Sequence, residues 1–242
     1  GETLGIVGES GSGKSTLVKC LIRLEDPDSG AVWVEGTNIA GYSRRALHPY
    51  RKDIQIVFQD PYGSLNPRRT IGDQLAEGPT NFGEPRAKVM ARARELMRIV
   101  RLEPEALNRY PNQFSGGQRQ RICIARALMV EPKVLIADEA VSALDVSVQK
   151  EVLKLLNEIR DRMGLTVLFI THDLRVAAQV CDRLIVMQKG EIVERGTVDE
   201  VFGTPKHAYT QKLLAAQPGQ AWEVPDIASL PPARLDAMGG LI

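Results

Sequence analysis

The stretch that most constrains this chain is Gly8-Glu9-Ser10-Gly11-Ser12-Gly13-Lys14-Ser15-Thr16. Ahead of it, Thr3–Val7 reads as a short buried strand; behind it, Leu17, Val18, Leu21 and Ile22 recur at helical spacing. Strand, glycine-rich turn and helix in that order form the setting in which the Walker A pattern cradles phosphate. Glycines let successive backbone N–H groups turn inward around an anion, where bulkier residues would crowd it. The helix starts at the loop's end, so its unpaired N–H groups and positive dipole end face the same point. Lys14 adds a mobile charge for β- and γ-phosphates, and Ser15 a hydroxyl for Mg2+. This is a nucleotide site.

The rest of the chain alternates between strands and helices, with one long interruption. Asp26–Gly30 is a turn by composition, and Ala31–Gly36 alternates like a strand. Residues 44–52 are basic and broken by Pro49; His48 among them reads as a surface residue, with no Cys or carboxylate cluster beside it. Ile54–Phe58 is a second core strand, ending at Gln59-Asp60-Pro61. Thr70–Glu77 and Pro85–Leu102 then read as helices, the second carrying Val89, Ala93, Leu96, Met97 and Val100 along one face. A further helix starts at Ser115 and runs to Val130. Strands are expected at 133–137 and 165–170 with a helix at 146–163 between them, then a hairpin of 182–187 and 191–195 about Gln188-Lys189-Gly190. Short helices are expected at 198–202 and 207–215. The expected fold is an α/β P-loop NTPase: a mainly parallel core sheet flanked by helices, an inserted α-helical subdomain, and a C-terminal hairpin and helical extension. Residues 1–63 and 129–217 form the core, 64–128 the insertion, and 218–242 a Pro-, Gly- and Ala-rich tail that is poorly ordered or an interaction arm.

Composition excludes several classes. A formal net charge of +1 gives no bulk attraction to nucleic acid. The longest apolar runs are strand-length, far short of a membrane span, and residues 1–20 lack the pattern of a signal peptide. Cys20, Cys123 and Cys181 are odd in number and widely spaced, as expected for buried free thiols of a reducing compartment rather than a disulfide or metal site.

Five more stretches resemble, in order and spacing, those of the ATP-binding cassette (ABC) ATPases. They are Gln59 at a strand end; Phe114-Ser115-Gly116-Gly117-Gln118-Arg119-Gln120-Arg121, similar to the family's signature; and Val134–Glu139, similar to Walker B with its glutamate. The last two are Ser142-Ala143-Leu144-Asp145, similar to the D-loop, and Ile170-Thr171-His172-Asp173, similar to the switch-histidine strand end. The physical chemistry agrees. Asp138 ends an apolar strand beside the phosphate loop, where it can hold Mg2+ directly or through water. Glu139 is the candidate general base for a water attacking the γ-phosphate. His172 ends a strand where strand ends gather at a ligand crevice, and the resemblance has it contact the γ-phosphate, with Gln59 sensing Mg2+ and the attacking water. Ser115, with Gly116 and Gly117, caps a second anion-binding helix end that also includes Gln118. The resemblance implies that two such domains pack head to tail, ATP lying between one's phosphate loop and the other's signature.

Within the family, Gln59–Thr70 and Phe202–Leu214 resemble importers of peptides and nickel. That resemblance implies an ATP-hydrolysing subunit, peripheral on the cytoplasmic face of the cell (inner) membrane, powering uptake of peptides or a related small solute through a permease fed by a solute-binding protein. Export, and a non-transport ABC ATPase acting on nucleic acid or ribosomes, are the alternatives; the near-neutral charge weighs against the latter. The sequence departs from the family pattern at Phe114, where leucine is commoner, and at Ala140-Val141, where Pro-Thr is usual. The chain starts at Gly1 only a few residues before its first strand, so it is expected to be part of something longer. The family's adenine-stacking aromatic and upstream strands are not in it, and nucleotide is expected to bind more weakly than to a version restoring them.

Overall fold

The structure is a computed structural model, and it describes residues 1–216. The expectation for the tail at 218–242 lies outside the described residues.

β1 (Thr3–Val7) leads through the glycine loop into α1 (Lys14–Leu21). A small hairpin comes next, β2 (Trp33–Val34) and β3 (Thr37–Asn38), then the single turn α2 (Tyr50–Asp53) and β4 (Ile54–Val57). Beyond β4 lie α3 (Pro61–Ser64), α4 (Ile71–Asn81), α5 (Arg86–Ile99) and α6 (Gly116–Leu128), the last two separated by short 3-10 turns. Alternation resumes with β5 (Val134–Asp138), α7 (Val146–Met163), β6 (Thr166–Thr171) and α8 (Leu174–Val180). The described chain closes with β7 (Arg183–Gln188), β8 (Glu191–Thr197), α9 (Val198–Gly203) and α10 (Ala208–Ala215).

Six strands make one sheet in the order β4-β5-β6-β1-β7-β8, parallel except for β8, which returns antiparallel to β7. Register decides the function of this sheet. Val57 pairs with Ala137, Asp138 with Ile170, and Val7 with both Thr171 and Val186. The residues next after these strands, Gly8, Glu139 and His172, therefore emerge along one edge, the carboxyl edge where open α/β sheets bind ligands. One core layer packs Ile6, Ile136, Ile170 and Met187 against Val18 of α1, and a larger one fills the opposite side beneath α4 to α8.

Local chemistry explains the helices. Asp145 accepts a hydrogen bond from Val148 N to start α7, Gly164 in the left-handed region (φ 61°) ends it, and Val152, Leu155, Leu156 and Ile159 form its buried face. The apolar stripe expected on α5 is buried at all five positions.

Several details differ from the sequence expectations. The strand expected over Ala31–Gly36 shrinks to Trp33–Val34, because Glu35 (φ 49°) and Gly36 (φ 74°) make the two-residue turn that pairs it with β3. α4 runs past Glu77 through Pro79, whose missing donor falls in the last turn, where the Thr80 hydroxyl also bonds Ala76 O. α2, α3 and α8 have no counterpart among the expected helices; Asp173 caps α8 by accepting from Arg175 N. His48 is exposed and packs at a tilt against Phe82, and the three cysteines are free, Cys123 and Cys181 buried and Cys20 half-buried.

Candidate functional site

The phosphate loop is held from both sides. A Cβ on Gly8 would overlap the backbone oxygen of Met187 in β7, so no larger residue fits there. Gly13, the N-cap of α1, sits at φ 98°, and Gly190 N at the β7–β8 turn donates to Ser12 O at 2.9 Å. Lys14 is 5% exposed and lies within the loop: its ammonium donates to Gly8 O at 2.7 Å and Glu9 O at 2.8 Å. Ser10, Gly11, Ser15 and Thr16 are exposed around it.

Electrostatics ties this loop to β5. Burial lowers the Lys14 pKa, while Glu139 and Asp138 push it the other way. Burial raises the Asp138 pKa, with Glu139 adding to the rise and Lys14 opposing it. Asp138 Oδ1 is buried and has no hydrogen-bond partner. That orphaned carboxylate oxygen beside a phosphate loop is the donor a divalent cation would use.

Glu139 turns the chain sharply off the strand. Its φ of 48° is left-handed for a non-glycine residue, a conformation costing about 1–2 kcal/mol. Three backbone-anchored bonds hold it there: its N–H donates to Ile170 O at 3.0 Å, and its carbonyl accepts from Ser142 N and Ser142 Oγ. The kink brings Glu139 Oε1 to 3.2 Å from His172 Nδ1. These two side chains, with Glu9, Ser10, Leu213 and Ala216, line an open cleft of about 390 Å3. Gln59 stands exposed two residues past the end of β4, next to β5 in the sheet, and Asp60 then caps α3 by accepting from Tyr62 N at 2.8 Å. The contribution of α10 to the cleft wall is not legible in the sequence, since its stretch carries only a family likeness and no chemical signal.

The second candidate site is a separate feature. Ser115 Oγ accepts from Gln118 N, and Gln118 Oε1 accepts from Ser115 N, a complete capping box at the start of α6. Gly117 is buried, and a Cβ there would run into Val148 Cγ1 of α7; Gly116 has only distant neighbours. Arg119 stacks on the Tyr62 ring at 4.0 Å and donates to Pro111 O, joining α6 to the turn after Gln59. The lining of the cleft beside Glu139 and His172 does not include Ser115, Gly116, Gly117 or Gln118.

A phosphate loop between the first strand and helix of a mainly parallel sheet, with an acidic pair ending the strand two places along, defines a P-loop NTPase. A family model described as ABC transporter matches residues 1–142, and the chain belongs to this family as one of its ATPase domains. It is 49% identical over 221 residues to the oligopeptide transport ATP-binding protein OppF of Bacillus subtilis, covering 90% of this chain and 72% of that one. A peptide import ATP-binding protein of Brucella ovis is 48% identical over 219 residues, covering 90% of this chain and 69% of the relative. Among solved structures, cbiO1 of Clostridium perfringens, part of the cbiONQ ABC transporter complex, aligns with a TM-score of 0.77 at 32% identity, over 84% of this chain and 80% of that one. An ATP-binding cassette solved as a dimer in a post-hydrolysis state with ADP and Pi aligns at 0.70 and 34% identity, over 81% and 85%.

Proposed function

We propose that this chain and a second ABC ATPase domain, identical or related, close head to tail over ATP, and that hydrolysis there drives uptake of peptides through a membrane permease. The observation that carries the chemistry is the cluster at the sheet edge: buried Lys14, the orphaned oxygen of Asp138, and Glu139 facing His172.

In this reading Gly8 and the loop Ser10–Thr16 wrap the phosphates. Lys14 exchanges the carbonyls of Gly8 and Glu9 for phosphate oxygens, which its short reach within the loop favours. Asp138, Ser15 and Gln59 would hold Mg2+, which when bound neutralises charge on the β- and γ-phosphate oxygens. Glu139 orients and deprotonates the attacking water, its backbone kink fixing the carboxylate beside His172. His172 steadies the γ-phosphate and the Glu139 carboxylate together. The second domain supplies Ser115, Gly116, Gly117 and Gln118 to the phosphate's far side, which agrees with their lying outside this chain's own cleft.

Residues 64–128 would act as a subdomain that carries this signature and moves against the rest. Beside Gln59 an apolar cleft of about 250 Å3, lined by Leu24, Leu47, Tyr50 and Phe58 among others, suits a permease helix. Among the described residues no helix is long and apolar enough to cross a membrane, in keeping with a peripheral subunit at the inner face of the membrane. Peptide cargo, ahead of nickel, is supported by the names that the relatives carry.

Glu139→Gln is expected to lower ATP turnover by at least about 100-fold while leaving ATP binding intact and favouring an ATP-bound dimer by gel filtration. His172→Ala should impair turnover more than binding. Normal turnover in Glu139→Gln would overturn the assignment.

A further inference from the structure

The hydrogen bonds of the fold include a strut that the hydrolytic chemistry does not use. Glu9 N, in the phosphate loop, donates to the hydroxyl of Tyr209 at 3.1 Å, across 200 residues of sequence. The same peptide unit is gripped at its other end, since Gly8 O, its carbonyl, accepts from Lys14 Nζ at 2.7 Å. The Tyr209 ring is buried, so its hydroxyl is a fixed post rather than a surface contact.

The post is itself anchored. The Glu194 carboxylate on β8 accepts from Lys206 N at 2.7 Å and from His207 N at 3.1 Å, gripping the chain just ahead of α10. His207 Nδ1 then accepts from Tyr209 N, capping the first turn. β8 thus positions α10, and α10 positions the first bend of the phosphate loop.

We propose that Tyr209 is a positioning residue for nucleotide: its hydroxyl holds the Gly8–Glu9 peptide in the orientation from which Lys14 leaves for a phosphate. The inference rests on the loop being the ATP site of the proposed function. When Lys14 swings to phosphate, the Gly8–Glu9 peptide loses the bond to its carbonyl and keeps the one to its N–H. Without Tyr209 both ends of that peptide are free at once, and the loop must be ordered by the ligand.

Tyr209→Phe keeps the buried ring and deletes only the hydroxyl. Hydrogen exchange of the nucleotide-free protein reads the strut directly: the Glu9 amide should exchange about five- to tenfold faster, with other core amides unchanged. KM for ATP should rise by a similar factor while kcat changes less than about twofold. Glu194→Ala, which frees the 206–207 turn, should reproduce both effects, and the double variant should add little to either. Unchanged Glu9 exchange in Tyr209→Phe overturns the strut. Faster exchange with unchanged KM overturns the positioning role. Lys14→Ala is the separate control: if it leaves ATP binding intact, the ATP site itself has been misread, whatever the exchange data show.

Discussion

Gly117 offers a test in which geometry sets both sign and size. It is the second residue of α6, and an added Cβ would fall about 1 Å inside the ~3.5 Å that two carbons need, against Val148 Cγ1. Val148 cannot easily yield. It is β-branched, with one strongly preferred rotamer in a helix, and its backbone N–H is tied to Asp145 Oδ1 at 3.0 Å. Overpacking of this kind costs about 1–3 kcal/mol. Alanine returns up to about 1 kcal/mol of helix propensity, less in a first turn. Gly117→Ala should therefore destabilise by about 1–2 kcal/mol, and a domain of this size should lose roughly 2–8 °C in Tm. Val148→Ala removes the obstructing methyl, so in that background Gly117→Ala should be neutral or stabilising by thermal melting. Gly116, whose Cβ would meet nothing nearer than Tyr62 Oη at 3.8 Å, is the more open of the pair. If Gly117→Ala melts at or above the parent, or loses as much in the Val148→Ala background, the packing argument is wrong. A double variant that melts normally but stays impaired in ATP turnover is the outcome the proposed contact of Gly117 with the other domain's nucleotide leads us to expect.

Asp138 and the cysteines extend the tests to pH and reactivity. Burial, then Glu139, raises the Asp138 pKa from its ordinary value, so the folded state holds that proton more tightly than the unfolded chain and the ionised form costs stability. Asp138→Asn should raise Tm near pH 7, with the gain shrinking as pH falls toward about 4, the value for an unperturbed Asp; calorimetry across that range showing a pH-independent loss would contradict this. Burial pushes the Cys123 thiol up to about 11 and Cys181 up to about 12. Mass spectrometry after alkylation of the native protein at pH 8 should find Cys20 modified and the other two intact until unfolding; early labelling of Cys181 would show that β1, α8 and β7 are less tightly packed than described.

The features legible in the sequence share one property: the demand on each residue is made by its near neighbours in the chain. A strand, glycines and a helix start write the phosphate loop within a few residues of one another. Apolar runs write β5 and β6, and the acidic pair at 138–139 comes at the end of its own strand. The hairpin at 188–190 is visible because a two-residue turn with Lys189 (φ 50°) and Gly190 (φ 86°) needs a residue tolerant of positive φ. The unread features answer to distant elements. Glu139 gives no local hint of its left-handed backbone, since glutamate is an ordinary residue and the bond that holds it comes from Ile170 in β6. Gly117 looks like half of a symmetric Gly-Gly pair until Val148 is placed against it. Tyr209 looks like a core aromatic until Glu9 is placed beside it. The division has a physical consequence. The residues expected to touch nucleotide sit at the ends of their strands and can be found by pattern, whereas those that hold them in position lie one contact further out, on elements brought in by the sheet. Substitutions at Tyr209, Glu194 or Val148 should therefore change how well the site is held without changing which groups it contains.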